Sequence, residues 1–290
     1  MKRIFTFVLF LSFNMIMAQL EIPAASPKSK LFQTVGLTEI SVEYSRPSVK
    51  NRNIFGSLVP YDKIWRTGAD ESTKISFSDD VLINSATLKA GTYSLYTIPN
   101  TNYWDIIFYA ETNVWGVPRN WDENKVVLKT RVDSYNLPES IKAETLQISF
   151  DFLSNDAAVM AILWDNTYVP VRINVPTTKN VMLKISEVLN NKPTFSDYYK
   201  AAVFMNDQKI DSKKALEYME LAMNSNENPR FWQLRQYSLI LAENKLFKRA
   251  ISVAKKSLKM AKKSGNENYI NMNEASIQNW KNLKQTRKVQ

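Results

Sequence analysis

The sequence predicts an α+β chain of two segregated units: an antiparallel β-sandwich or jelly-roll-like domain over residues 19–176, then an α-helical unit of hairpins over residues 177–290. Three observations lead there. Apolar residues alternate with a period of two before Pro176 and recur at helical spacing after it. Lys and Arg number 15 against 18 Asp and Glu from Gln19 to Pro176, but 21 against 10 from Thr177 onward, so the positive excess belongs to the second part alone. The chain holds no Cys, so both units must be stabilised by core burial rather than disulfides, which a chain of this length can supply.

Taken in order, Lys2 and Arg3 precede an uncharged apolar run from Ile4 to Ala18, which reads as a signal peptide over residues 1–18 cut after Ala18. The run is shorter than the ~20 residues that span hydrocarbon. The mature chain is therefore expected in the periplasm or outside the cell, not spanning a membrane, and with no Cys at the cut to carry a lipid.

Half-buried strands are expected around Ile40–Tyr44, Ile75–Phe77, Tyr93–Thr97, Trp104–Phe108, Val126–Val132, Leu146–Phe152, Met160–Trp164 and Val169–Val175. Asp79-Asp80, Lys89-Ala90-Gly91, Pro99-Asn100, Ser154-Asn155-Asp156 and Asp165-Asn166 supply turns between them. About nine short strands at hairpin spacing favour a sandwich or barrel-like closure. Pro170 suggests an edge position for the last strand, since proline cannot donate to a ladder.

After Pro176 a short amphipathic helix is expected over Val181–Leu189, with a new start marked by Pro193, Ser196 and Asp197. A helix, a turn near Ile210-Asp211 and a second helix follow; the stretch from Phe231 to Gly265 repeats that plan, and a terminal helix spans Asn268–Leu283. Ala250 follows Ala215 by 35 residues, a spacing that resembles the tetratricopeptide repeat, with its period of about 34 and its small residues between paired helices. Pro229 falls later than that repeat's proline, so two degenerate hairpins are expected.

The helix from Leu246 to Lys263 carries Lys248, Arg249, Lys255, Lys256, Lys259, Lys262 and Lys263 opposite an apolar face. It reads first as a solvated face, and otherwise as a contact for an anionic envelope component, a polysaccharide or an acidic protein. Nucleic acid is not expected as a partner of an exported chain.

The absence of His and Cys excludes thiol nucleophiles, Cys or His zinc sites, haem ligation through His and Ser-His-Asp or Cys-His catalysis. No metal site and no cofactor is predicted. Any catalysis must rest on carboxylates, Lys, Tyr, Arg or an oxygen-ligated metal.

Three features can carry recognition or chemistry. The stretch from Tyr44 to Glu71 concentrates Arg46, Arg52, Arg66, Lys50 and Lys63 with Asp62, Asp70 and Glu71 among Phe55, Tyr61 and Trp65. It is a long excursion punctuated by Pro47, Gly56, Pro60 and Gly68, and either builds an internal ion-pair network or presents guanidinium groups to an anion. The loop Ala110–Asn124 holds Trp115, Arg119 and Trp121, either stacked on a sugar or folded over the sandwich. The doublets Asp70-Glu71, Asp79-Asp80 and Asp122-Glu123 serve turns by habit, and two of them brought together make an acid–base pair or bind a hard cation.

Tyr44-Ser45-Arg46-Pro47, Arg52, Phe55-Gly56, Leu58-Val59-Pro60, Trp65-Arg66-Thr67-Gly68-Ala69 and Glu71, followed by Ala90-Gly91-Thr92-Tyr93-Ser94-Leu95, Trp104, Phe108 and Trp115-Gly116, closely resemble the exported bacterial family catalogued as domain of unknown function 2911. The likeness covers residues 25 to 175 and implies a secreted or periplasmic β-domain of Bacteroidetes-type bacteria, with no activity to carry over. Asn51 stands where that family usually has Gly, and Asn tolerates a left-handed turn. Asp70 stands where Asn is usual, a charge that favours an ion pair with Arg66. The expected function is a non-enzymatic binding or interaction module with ligand candidates Arg46, Arg52, Trp65, Arg66, Trp115, Arg119 and Trp121. The alternative is an envelope-associated glycan hydrolase working through Asp70, Glu71 or Asp122.

Overall fold

The structure is a computed structural model that describes residues 22–289; the leader expected over residues 1–18 lies outside them. The chain divides into two compact units, one ending at Val175 and the next beginning at Pro176.

The first unit is built of twelve strands: β1 (Lys28–Val35), β2 (Thr38–Ser45), β3 (Ala69–Phe77), β4 (Val81–Ile83), β5 (Ala86–Leu88), β6 (Gly91–Pro99), β7 (Tyr103–Tyr109), β8 (Val126–Asp133), β9 (Tyr135–Asn136), β10 (Ala143–Asp151), β11 (Ala157–Asp165) and β12 (Thr167–Asn174). One sheet runs β1-β2-β3-β6-β7-β8 and the other β10-β11-β12-β4-β5, with β9 also on β12. All of these strand pairs are antiparallel. Alternate residues of both sheets enter one core: Val42, Ile75, Leu95, Trp104, Ile106 and Phe108 from the first meet Leu146, Ile148, Met160, Ile162, Val169 and Val171 from the second. Each such side chain, fully buried, contributes about 1.5–3 kcal/mol.

The strands that periodicity did not indicate are β1, β4, β5 and β9. The first is an edge strand whose residues are exposed or half-buried except Val35, and the others are two or three residues long. None is long and apolar enough to show a period. The last strand is not an edge strand of its sheet, but Pro170 itself has a strand partner on one side only. It pairs in register with Ala161 on one side, and on the other it falls between the two short partners of β12, β9 at Thr167–Tyr168 and β4 at Ile173–Asn174. The missing N–H is tolerated because neither short strand lies in register with it.

On the outer face of the first sheet, Asp105 is 8% exposed and pairs with Arg131, its cross-strand neighbour, at 2.7 Å and with Lys129 at 3.3 Å. The Arg131 hydrogen bond holds the Asp105 carboxyl below the usual carboxylate range.

The second unit contains α1 (Thr177–Leu189), α2 (Phe195–Asp207), α3 (Ser212–Asn224), α4 (Phe231–Glu243), α5 (Phe247–Ser264) and α6 (Glu267–Val289). Thr194 and Asp197 form a capping box that starts α2, Asp211 accepts from the Lys214 N–H to start α3, and Gly265 at φ 68° closes α5. Helices pack on their sequence neighbours, α2 on α3, α4 on α5 and α5 on α6. The 35-residue spacing is visible in the packing: Ala215 and Ala250, Met219 and Ala254, Ala222 and Ser257 are all fully buried, and small residues there let the helix pairs close up. Among the described residues, no helix is long and apolar enough to cross a membrane.

Candidate functional site

The connection from β2 to β3, residues 46–68, links the two sheets at one end of the sandwich. Tyr44 and Arg46 secure its start. The Ile148 N–H donates to the Tyr44 hydroxyl at 2.9 Å, and Arg46 Nε donates to the Leu146 carbonyl at 2.8 Å, so both side chains are bound to the backbone of β10. The loop then runs beside that strand, with the Leu146 N–H donating to Pro47 O and the Val49 N–H to Glu144 O. Lys50 and Asn51 both take left-handed φ, 47° and 56°, and reverse the chain, a conformation that Asn tolerates.

The middle of the loop is a plug. Ile54, Val59 and the partly buried Phe55 join the sandwich core. Gly56 has φ 85°, and a Cβ there would lie 2.7 Å from the Tyr61 ring, so glycine is favoured there on both counts. The return is tied to β6, where the Trp65 N–H donates to Thr97 O and the Thr97 N–H donates back. The Trp65 ring stacks on Trp164 at 5.7 Å, with Phe55 edge-on to both and to Trp104. Thr73 Oγ1 donates to Thr67 O at 2.8 Å, and the Thr67 and Thr97 hydroxyls meet at 3.1 Å, all of them buried. Arg66 therefore sits between two anchored residues.

The internal ion-pair network expected of this block is not there. Glu71 pairs with Lys28 at 3.0 Å and Lys74 at 3.6 Å, and the Lys28 hydrogen bond lowers its pKa. Among the described residues, no ion pair involves Arg46, Arg52, Arg66 or Asp70. The reason is conformational: Asp70 has φ 58°, a left-handed position for which Asn and Asp are suited, so Asp70 serves the backbone rather than Arg66. Arg52 is held by backbone carbonyls, Nε on Val49 O at 3.0 Å and Nη2 on Ser48 O at 2.6 Å.

A cavity of about 280 Å³ opens beside the loop, and Ser48, Lys50, Arg52, Trp65, Arg66 and Trp164 are among its walls. Among the described residues, no Asp or Glu lines it. Two buried donors on these residues lack a hydrogen-bond partner among the described residues, Arg66 Nε and Trp164 Nε1, whereas Trp65 Nε1 donates to Gly68 O at 3.1 Å. The walls thus combine the Arg52 guanidinium, held by backbone carbonyls, with the Lys50 and Arg66 cations and two tryptophans. That arrangement can hold an acceptor-rich ligand, and it contains no carboxylate pair for acid–base chemistry.

Of the ligand candidates read from sequence, the structure brings Arg52, Trp65 and Arg66 to this cavity. Arg46 is engaged with β10, and Trp115, Arg119 and Trp121 do not line it. Trp121 stacks on Tyr109 at 4.4 Å and meets Tyr96 edge-on, covering the outer face of β6 and β7, and its Nε1 donates to Glu123. Trp115 is 73% exposed and its backbone bridges Glu71; Arg119 is exposed. Asp122 accepts from the Asn124 N–H and caps the short 3-10 turn Glu123–Lys125. Asp70, Glu71 and Asp122 all lie off the cavity walls. Sequence reasoning missed Lys50 and Trp164 as site residues. The Lys50-Asn51 turn signal points to the first, but nothing local links Trp164 to a loop about a hundred residues away.

The basic helix α5 stands in the other unit. Arg249 pairs with Glu220 of α3 at 2.6 Å and reaches the Tyr237 hydroxyl at 2.7 Å, and Lys262 pairs with Glu274 of α6 at 2.8 Å. Lys248, Lys255, Lys256, Lys259 and Lys263 are exposed. An acid-free face in sequence is therefore partly neutralised by neighbouring helices.

Comparison with curated proteins gives no match, and comparison with solved structures gives none. The family model described as "Protein of unknown function (DUF2911)" matches residues 26–173, from just before β1 to the end of β12, and the chain belongs to that family.

Proposed function

We propose that this chain is an exported, non-catalytic binding module whose ligand sits in the cavity beside the 46–68 loop. One observation carries the reading: a cavity of about 280 Å³ walled by Lys50, Arg52 and Arg66, with no carboxylate among the described residues that line it. Cations that face a shared space without counter-charges repel one another, and an anionic guest removes that repulsion. The loop is also pre-organised by its plug and its ties to both sheets, which lowers the ordering cost of binding. The hydrolase alternative finds less support, because Glu71 is held by lysines, Asp122 by a turn, and neither lines the cavity. Export rests on the leader read from sequence, and the Bacteroidetes-type source on the family resemblance.

The test screens the purified protein against anionic and neutral small molecules and glycan fragments, with thermal shift as readout and chromatography of each compound for turnover. A ligand that binds the folded state raises the melting temperature in proportion to the logarithm of its concentration over Kd. The expected result is stabilisation by one ligand class, recovered unchanged, and lost in Arg52→Gln/Arg66→Gln. Turnover of a glycan, or a panel without stabilisers, overturns the reading. N-terminal sequencing of the exported form is expected to begin at Gln19; a retained Met1 overturns the export part.

A further inference from the structure

We propose that the group recognised in this cavity is a doubly ionised oxyanion, a phosphoryl group carried on a small body; the inference rests on the binding role proposed for the same cavity. The donor and acceptor inventory of the walls makes the case. Lys50, Arg52 and Arg66 place three cations on the walls, and Arg52 retains the N–H groups not used on Ser48 O and Val49 O, while Arg66 Nε and Trp164 Nε1 lie buried beneath the wall surface. Against these, the side-chain acceptors on the walls are two hydroxyls, Ser26 and Ser48, and the Ser48 hydroxyl already meets Thr145 Oγ1 at 3.1 Å. A neutral sugar needs partners that accept as well as donate, because each buried hydroxyl carries a proton of its own. A fully ionised oxyanion only accepts.

Charge narrows the class further. Three cations without a carboxylate favour a guest with more than one negative charge, and a phosphate monoester carries about −1.5 to −2 at neutral pH where a carboxylate carries one. The Glu144 carboxylate approaches this rim to accept from the Lys50 backbone N–H at 2.9 Å and makes no ion pair with the Lys50 ammonium. Guanidinium groups match phosphoryl oxygens two at a time, and Arg52 is already fixed in place by its carbonyl contacts. The tryptophan faces are not free for a sugar ring, because Trp65 and Trp164 stack on each other and are only 8% and 2% exposed. A cavity of about 280 Å³ lies at the small end of ligand sites, which limits the body that carries the group.

The experiment is calorimetric titration of the exported chain with inorganic phosphate, glucose 6-phosphate, glucuronate and glucose, at low and moderate salt. Phosphate and glucose 6-phosphate are expected to bind, glucuronate at least about ten-fold more weakly and glucose not at all, since one charge-assisted hydrogen bond is worth about that factor. Affinity for the phosphoryl probes is expected to fall with added salt, and to fall below about pH 6 as the second ionisation is lost. Arg66→Gln is expected to weaken glucose 6-phosphate by at least about ten-fold while leaving the melting temperature of the unliganded protein unchanged. Lys50→Gln, at an exposed position, gives the same direction should Arg66→Gln fail to fold. Glucuronate binding as tightly as glucose 6-phosphate, or glucose binding at all, overturns the dianion while keeping the cavity as a binding site. Silence from all four probes also overturns it, and if the broader panel then yields a ligand sensitive to Arg66→Gln, the binding role survives alone.

Discussion

The molecule has two cationic regions, the 46–68 loop and helix α5, and they are built in opposite ways. In the loop, Arg46 and Arg52 are fixed on backbone carbonyls, Arg66 lies between two anchored residues, and the aromatic plug beneath them is part of the sandwich core. In α5, Arg249 and Lys262 pair with acids of neighbouring helices, and the other five cations project into solvent. Helix α5 has more charge, yet the loop has more geometry. A side chain whose direction is fixed by buried neighbours can discriminate between guests, whereas one that must be ordered on contact spends its interaction energy on its own entropy.

The comparison breaks first at its support. Trp65→Ala removes a ring that is 8% exposed and stacked on Trp164, and should destabilise the protein by about 3–5 kcal/mol, the range for large aromatic truncations. Chemical denaturation measures it. A loss below about 1 kcal/mol would mean that the loop is draped on the sandwich rather than built into it.

A smaller effect is expected where a fixed charge lies outside the site. Asp105→Asn weakens the pair with Arg131 and Lys129 and should cost about 2 kcal/mol at neutral pH. Because the folded carboxyl titrates below its unfolded value, the pair stabilises the protein above about pH 4 and ceases to do so as pH falls through the folded pKa. Wild type and variant should therefore converge in acid, as thermal melts between pH 7 and pH 3 would reveal. A gap that stays constant would assign the effect to packing.

Gly56→Ala tests the loop's shape rather than its packing. The φ of 85° and the Tyr61 ring 2.7 Å from the new Cβ together should cost about 1–2 kcal/mol. Ligand affinity at the cavity should fall with it, because the plug positions Trp65 and Arg66. An unchanged affinity would detach the cavity from the plug.

Much of this was legible in the sequence, and the reasons differ by region. Alternation such as Leu146, Ile148, Phe150 and repeated small residues such as Ala215 and Ala250 are local patterns, so the two units and their border could be read directly. The 46–68 block was legible as a family mark, since Tyr44, Arg46, Gly56 and Trp65 each answer a definite structural demand. Their partners were not legible. Asp70 and Glu71 stand next to Arg66 in composition, but a left-handed φ at Asp70 and the Lys28 ammonium across from Glu71 take them elsewhere, and both facts depend on strand pairing. Trp164 reaches the cavity from β11 only because the sandwich closes.

The smallest effect is expected at α5, and it is the sharpest test of the contrast. Replacing Lys255, Lys256 and Lys259 with Gln removes three charges from an exposed face with none of the carbonyl or aromatic anchoring seen in the loop. Stability should change by less than about 0.5 kcal/mol, the usual limit for surface substitutions away from structural features. Binding to vesicles of anionic lipid measures the other half: a solvated face gives weak adsorption that disappears by moderate salt in both forms, because screened, mobile charges hold nothing in place. If wild-type protein instead binds such vesicles at moderate salt and the triple variant does not, then mobile lysines suffice for recognition here. Fixed geometry would then no longer separate the loop from the helix.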